Sequence, residues 1–205
     1  YLYSNIELQG LLTHQKFDGS VQIDDPNGQL DFNGKVDMSG EIPHFNFSAL
    51  LANVQLDRLK LMPSLKDGVL SLSVETNFEG DNVDDLVGEI KLSEGLLFTP
   101  EASVDLDSLT IRASRINEGK RLVLKSNFAE GELVGYYNFA HFNKTMENYL
   151  GCFLPSFIQP YEKGQIARKN DFRFDFRLRE VNKLMAVLLP GVVVSDEGRI
   201  QGRFN

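Results

Sequence analysis

The fold is decided by a stretch that reads Gly28-Gln-Leu-Asp-Phe-Asn-Gly34-Lys-Val-Asp-Met38. Apolar side chains alternate with polar ones in it, and a glycine takes one of the apolar positions. Because successive residues of a strand point to opposite sides, this pattern predicts a β-strand with one apolar and one polar face. The phrase returns as DLVGEIKL at 85–92, ELVGYYNF at 132–139 and EGRIQGRF at 197–204. A chain made largely of such strands predicts a long antiparallel sheet with one continuous apolar face.

The composition fits a globular β protein and excludes some partners. The chain has 205 residues, of which 42% are hydrophobic and 24% charged, and we treat 1–205 as a single segment. Its net charge of −8 argues against a nucleic-acid partner, which would be bound mainly by lysine and arginine. No apolar run approaches the roughly 18 residues that cross a bilayer. The sequence opens within a predicted strand, so we expect a segment of a longer protein whose signals and membrane anchor lie outside it.

The spacing of turn residues predicts about a dozen strands. The cleanest alternation runs from Leu70 to Phe78. The phase slips near Asn53 and Val54, which predicts a β-bulge, and slips again between Leu106 and Leu109. Residues 122–128 are predicted to pair with 133–139 across a tight turn at 129–131.

Two segments change to helical spacing and predict short amphipathic helices. In 143–154 the apolar residues are Met146, Leu150 and Phe153, and this helix is predicted to pack on the sheet. The second helix begins at Glu180 and ends before Pro190. Its apolar positions are Val181, Leu184, Met185 and Leu188.

The apolar phase of the strands defines the candidate site. These residues are predicted to line one concave surface because they share the same period-two phase. The predicted lining residues are Leu30, Phe32, Val36, Leu70, Leu72, Val74, Phe78, Ile90, Leu92, Leu109, Ile111, Leu122, Leu124, Phe128, Leu133, Tyr137, Phe172, Phe174 and Phe176.

The sequence offers no catalytic or metal-binding constellation. His14, His44 and His141 do not stand at ligand spacing from one another, and Cys152 lies beside an apolar stripe that predicts a buried, inert thiol. No nucleophile elbow, P-loop or dinucleotide fingerprint occurs. Most carboxylates alternate with apolar residues, which is typical of the solvated face of a strand. The sequence therefore predicts no enzyme, no cofactor and no metal.

One basic cluster has two interpretations. It consists of Arg168, Lys169, Arg173, Arg177 and Arg179, with Asp175 among them. The first interpretation is a polar outer face with cross-strand ion pairs. The second is a basic rim that meets anionic lipid headgroups.

Several phrases together resemble the AsmA/TamB group of bacterial envelope proteins, and most of all the TamB-like translocation and assembly proteins of the Bacteroidetes. They are GQLDFNGKVDMSGEIPHFNF at 28–47, SLSVETNFEG at 71–80, DDLVGEIKL at 84–92 and LVLKSNFAEGELVGYY at 122–137. The resemblance covers most of the chain and rests on a rhythm of glycine, aspartate and alternating apolar residues.

The resemblance implies a mainly β fold in which a long antiparallel sheet is rolled into an open trough, the β-taco, with a hydrophobic interior. It implies a periplasmic protein anchored in the inner membrane that conducts phospholipid acyl chains towards the outer membrane. It also implies a partner in outer-membrane protein assembly. The two helices depart from the family pattern and would cap or plug the trough. No catalytic residue is carried over.

Two other classes stay open. The first is a closed β-sandwich or solenoid that binds protein or carbohydrate, since antiparallel sheets usually bury one face. The second, less favoured, is an enzyme. Against the sandwich, glycines such as Gly34, Gly88, Gly135 and Gly202 interrupt packing and allow strong curvature.

Overall fold

A computed structural model describes residues 4–82, 84–139, 170–188, 193 and 197–204. In this part of the chain, eleven strands pair antiparallel in one open sheet whose spatial order follows the sequence from β1 to β11. The prediction of a mainly β, antiparallel fold is confirmed. The strands are β1 (Ile6–Thr13), β2 (Lys16–Asp25), β3 (Gly28–Asp37), β4 (His44–Gln55), β5 (Val69–Glu79), β6 (Val87–Phe98), β7 (Ser103–Ile116), β8 (Gly119–Ser126), β9 (Ala129–Tyr136), β10 (Asp171–Arg179) and β11 (Glu197–Phe204).

The described residues include one helix, α1, which spans Val181–Leu188 and follows β10 directly. The prediction of a helix here is confirmed. Its eight residues are too few to cross a membrane. No helix among the described residues is long and apolar enough to do so. The helix predicted at 143–154 and Cys152 lie outside the described residues.

Strand pairing sorts the side chains onto two faces. Directly opposed residues of an antiparallel pair share a face, so one row can be followed across the whole sheet. We call the side that carries this row the apolar face and the other side the polar face. The row reads Gly10, Gly19, Gly34, Phe47, Thr76, Ile90, Ile111, Leu124, Gly131, Phe176 and Ile200. Thr76 is the only hydroxyl in it, and its Oγ1 donates to the Glu89 carbonyl at 3.2 Å.

The glycine of the recurring phrase lies where two strands approach closely. Gly88 opposes Phe78 with φ +133°, and a Cβ there would stand 2.3 Å from the Asn77 carbonyl oxygen. Gly34 repeats this geometry opposite Phe47, with φ +147°. Both conformations are essentially restricted to glycine. Glycine at these positions therefore allows the two strands to approach closely where the opposing residue is a phenylalanine.

Both predicted phase slips are present. The pairing of β4 with β5 shifts between Leu51 and Val54, and Asn53 takes φ +52°. Asparagine tolerates this left-handed conformation, and its N–H is donated to the Ser71 hydroxyl at 3.0 Å. The bulge therefore returns Val54 to the apolar face, where it opposes Leu70. In β7 the phase changes between Leu106 and Leu109, which oppose Gly95 and Leu92 of β6.

The predicted turn at 129–131 is wrong. These residues belong to β9, and the turn between β8 and β9 lies at Asn127 and Phe128. Ser126 fixes it there, because its hydroxyl accepts the N–H groups of Phe128 at 3.1 Å and Ala129 at 2.9 Å. Phe128 therefore lies in a turn rather than a strand, and Tyr137 follows the end of β9.

Two clusters of buried side chains lie on the apolar face. The helix cluster joins α1, through Val181 and Val187, to Val104 and Phe128. The aromatic cluster consists of Leu133, Tyr137 and Phe172, with partly buried neighbours such as Phe174 and Phe204. Across the described residues no large side chain is fully buried. The strands described thus form one layer, covered locally by α1.

Candidate functional site

The candidate site is the apolar face, and phenylalanine rings follow its first half. The ring centroids of Phe17 and Phe32 are 5.9 Å apart, and those of Phe32 and Phe47 are 5.0 Å apart. Phe45 stacks on Phe78 of the next strand at 4.6 Å. Such ring pairs add roughly 0.5–1.5 kcal/mol each beyond the area they bury. They give this part of the apolar face an ordered aromatic lining.

The structure brings the predicted lining residues within strands to this one face. Pairing and two-residue spacing relate each of them to the row defined above. They are Leu30, Phe32 and Val36 of β3; Leu70, Leu72, Val74 and Phe78 of β5; Ile90 and Leu92 of β6; Leu109 and Ile111 of β7; Leu122 and Leu124 of β8; Leu133 of β9; and Phe172, Phe174 and Phe176 of β10.

The two predicted lining residues outside strands lie on the same side, one in each cluster. Phe128, 6% exposed, packs in the helix cluster with Val104 and α1. Tyr137, also 6% exposed, packs in the aromatic cluster against Leu133 and Phe172. Both contribute to local packing that covers part of the face.

The apolar face is only half-buried across most of its width. Its leucine, valine and phenylalanine side chains on β3, β5 and β8 are of intermediate exposure. Towards β1 it opens to solvent, where Leu8 is 55% and Leu12 70% exposed. At the other edge Ile200 is 53% exposed. A sealed core would bury these side chains, so the face resembles a surface that a ligand could cover.

Charged groups lie beside the aromatic cluster. The Lys120 ammonium lies 5.3 Å from the Tyr137 ring centroid, and it donates to the Asp84 carbonyl and pairs with Asp85 at 3.5 Å. The Asp84 carboxylate accepts the Phe139 N–H at 2.5 Å. Burial, and then the Asp84 charge, raise the pKa of Tyr137 to about 12. Tyr137 is therefore a neutral side chain at physiological pH, with its ring turned to the cluster.

The polar face carries ion pairs between neighbouring strands. Arg179 and Arg177 both approach Glu130, at 2.9 and 3.5 Å, and Arg199 pairs with Asp175 at 2.6 Å. The first interpretation of the basic cluster, cross-strand ion pairs on a polar face, therefore describes Arg177, Arg179 and Asp175. Arg168 and Lys169 lie outside the described residues. Exposed ion pairs of this kind are screened by solvent and contribute little to stability.

The ion pair between Arg199 and Asp175 leads to a testable prediction about the pKa of Asp175. Its hydrogen bonds from Arg199 hold the pKa of the Asp175 carboxyl below its ordinary value of 3.8. A lowered pKa stabilises the fold above pH 4, and that contribution is lost as pH falls through the lowered value. Arg199→Gln should return the pKa of Asp175 towards 3.8 in a carboxyl NMR titration, whereas Arg173→Gln should not. An unchanged Asp175 pKa in Arg199→Gln would contradict the pairing.

Some residues of the site were missed by the predicted lining. Phe17, Phe45 and Phe47 contribute to the ring pairs described above, and the same alternation that identified their neighbours could have included them. The contacts of Lys120 with Asp84 carry no sequence signal, because those residues are 36 positions apart. Only the folded sheet brings them together.

The site offers binding chemistry. Within the described ranges, no group of three His, Cys, Asp or Glu residues is placed to hold a metal ion. The row of residues that defines the apolar face presents alkyl and aromatic groups and contains no nucleophile–base pair. Comparison of the chain with family models, with curated proteins and with solved structures gives no match.

Proposed function

We propose that this protein belongs to the class of non-enzymatic, single-sheet lipid-binding proteins, with phospholipid acyl chains as the ligand of the apolar face. More particularly, we propose an AsmA/TamB-like segment that conducts lipid between the inner and outer membranes of a bacterial envelope. The observation that carries the proposal is the continuous apolar face of one sheet, half-buried and without a second described sheet packed on it.

The dimensions suit this ligand. Eleven strands at about 4.8 Å spacing make a face about 48 Å long. This exceeds the roughly 30 Å of a bilayer hydrocarbon core, which two acyl chains span end to end. A single acyl chain would therefore cover only part of the face, and its position could shift along the sheet without leaving an apolar surface.

The energetics favour binding that remains reversible. Burying a methylene group stabilises by about 0.8 kcal/mol. A chain of ten methylenes that is covered on one side only would gain about half of the full value, or about 4 kcal/mol. Binding of this order holds a chain out of water yet allows it to move, as a conduit requires. Rolling of the sheet into a trough would increase the gain, and the close strand approaches at Gly34 and Gly88 are consistent with strong local twist.

The resemblance supplies the cellular part of the proposal. We place the segment in the periplasm of a longer protein that is anchored to the inner membrane, and we include an outer-membrane assembly protein as a partner. In the described part of the chain, β1 and β11 each pair on one side only. Such edges can extend the sheet with a further strand.

One observation favours the alternative of a binding module for protein or carbohydrate. A shallow recess on the polar face is lined by Asn33, Asn46, Asn77 and Ser48, whose amides and hydroxyl could hydrogen-bond a polar ligand. Carbohydrate sites usually add an exposed aromatic platform. The rings of β3 to β5 point instead to the apolar face, so we rank this function second.

Photo-crosslinking tests the proposed function directly. A benzophenone amino acid replaces Leu92 on the apolar face or, in the matched control, the adjacent Lys91 on the polar face. After irradiation with phospholipid, mass spectrometry should find a lipid adduct at position 92 and at most a trace at position 91. Equal labelling at both positions, or none at either, would contradict an acyl-chain site on the apolar face.

A further inference from the structure

The connection between β4 and β5 forms a closed loop, residues 56–68, which we call the tip loop. The N–H of Leu56 donates to the Gly68 carbonyl at 2.9 Å, which joins the two ends of the loop. The Leu56 carbonyl in turn accepts the N–H groups of Leu61 at 2.9 Å and Met62 at 3.0 Å. These bonds give the loop a defined shape rather than an open excursion.

The tip loop buries one end and exposes the other. Leu56 is 3% exposed, and Leu65 packs against the helix cluster. Leu61, by contrast, is 57% and Met62 40% exposed. A loop that buries Leu56 and partly buries Leu65 at its base could equally have placed polar residues at its tip. Adjacent exposed apolar side chains, held there by backbone hydrogen bonds, are typical of a contact surface.

The tip loop also carries exposed basic side chains. Arg58, Lys60 and Lys66 are exposed, and the structure gives them no ion pair with another described residue. The loop also contains Asp57 and Asp67. The Asp57 carboxylate is engaged inside the loop, where it accepts the N–H groups of Arg58 at 2.8 Å and Asp67 at 3.2 Å. With three basic and two acidic side chains, the loop carries a net charge of +1 in a chain of net charge −8.

We propose that the tip loop docks on an anionic lipid bilayer, with Leu61 and Met62 in the interfacial region and Arg58, Lys60 and Lys66 at the headgroups. Exposed apolar residues flanked by lysine and arginine are the combination by which peripheral proteins bind anionic membranes. Because the whole chain is acidic, a bilayer of negative charge repels it except where a local basic surface makes contact. This docking is independent of acyl-chain binding on the apolar face.

Vesicle flotation tests the docking. The wild-type chain should float with vesicles of phosphatidylcholine and phosphatidylglycerol, and at least tenfold less with phosphatidylcholine alone. The double variant Leu61→Ser/Met62→Ser should reduce its partition coefficient at least tenfold. Lys60→Glu/Lys66→Glu should reduce it at least 30-fold, because the loss of two favourable charges alone accounts for about 30-fold and the new carboxylates add repulsion. Thermal unfolding of each variant should match the wild type, since all four side chains are exposed.

Matched variants test whether membrane binding is confined to the tip loop. Met38 and Ile42, 54% and 41% exposed, lie in the connection between β3 and β4 at the opposite end of the sheet. Met38→Ser/Ile42→Ser should float like the wild type. Leu124→Asp, which alters the apolar face, should also float like the wild type. The proposal would be overturned if flotation did not depend on the anionic lipid or if the tip-loop variants floated like the wild type. An equal loss of flotation in Met38→Ser/Ile42→Ser would also overturn it.

Discussion

Replacement of Gly88 by alanine is expected to lower the free energy of unfolding by about 2–6 kcal/mol. The backbone at φ +133° costs an L-residue about 1–3 kcal/mol. The new Cβ would also stand 2.3 Å from the Asn77 carbonyl oxygen and 2.6 Å from the Phe78 Cα. Both are backbone atoms of the neighbouring strand, so relief requires the strands to separate and adds about 1–3 kcal/mol. Urea denaturation at 25 °C measures the change.

Gly198 provides the matched control for this experiment. It lies on β11, and a Cβ there would meet no atom within 4 Å. Gly198→Ala should change stability by no more than about 0.5 kcal/mol, as is usual for open surface positions. If Gly88→Ala behaved like Gly198→Ala, the close approach of β5 and β6 would not be a feature of the folded protein.

Leu124→Asp should abolish acyl-chain binding while leaving the sheet folded. Leu124 lies in the central row of the apolar face and is half-buried. A carboxylate there would face the bound chain, and we expect at least a tenfold loss of affinity for a fluorescent fatty acid. Because one side of the layer is open, the carboxylate can reach water. The free energy of unfolding should therefore fall by less than about 2 kcal/mol, compared with 3–5 kcal/mol for an uncompensated charge in a sealed site.

A variant of the adjacent residue provides the control for the opposite face. Val123 lies on the polar face, opposed by Arg112 and Glu132, so Val123→Asp places the same carboxylate on the other side of one strand. Its affinity for the fatty acid should match the wild type. Unfolding of Leu124→Asp would indicate a sealed core instead of an open binding face. Normal stability with normal fatty-acid binding in that variant would argue that the apolar face carries no lipid.

The alternation of side chains was readable from the sequence because it depends on local backbone geometry. Leu70, Leu72 and Val74 occupy one face of β5 whatever strand lies beside them. The helix at Val181–Leu188 was likewise evident from its apolar spacing. The bulge at Asn53 was readable too, since a phase slip in the apolar pattern must be absorbed by an extra residue.

The turn at Asn127 and Phe128 could not be located in this way. Ala129-Glu-Gly131 contains the residue type favoured in tight turns, yet Gly131 lies within β9, opposite Leu124 and Phe176. The deciding interaction is made by the Ser126 hydroxyl, which fixes the turn earlier. Glycine can serve a turn or a close strand approach, and only the partner strand distinguishes these uses.

By itself, the sequence determined the alternation within the strands, their two faces and the position of α1, because periods of two and of about 3.6 residues follow from the backbone alone. The tertiary structure decided that eleven described strands join into one sheet in sequence order, and which residues oppose each glycine. It also decided that Leu61 and Met62 reach solvent while Leu56 is buried. Strand pairing and burial depend on residues that are distant in sequence. The apolar pattern of one strand does not specify which strand lies beside it.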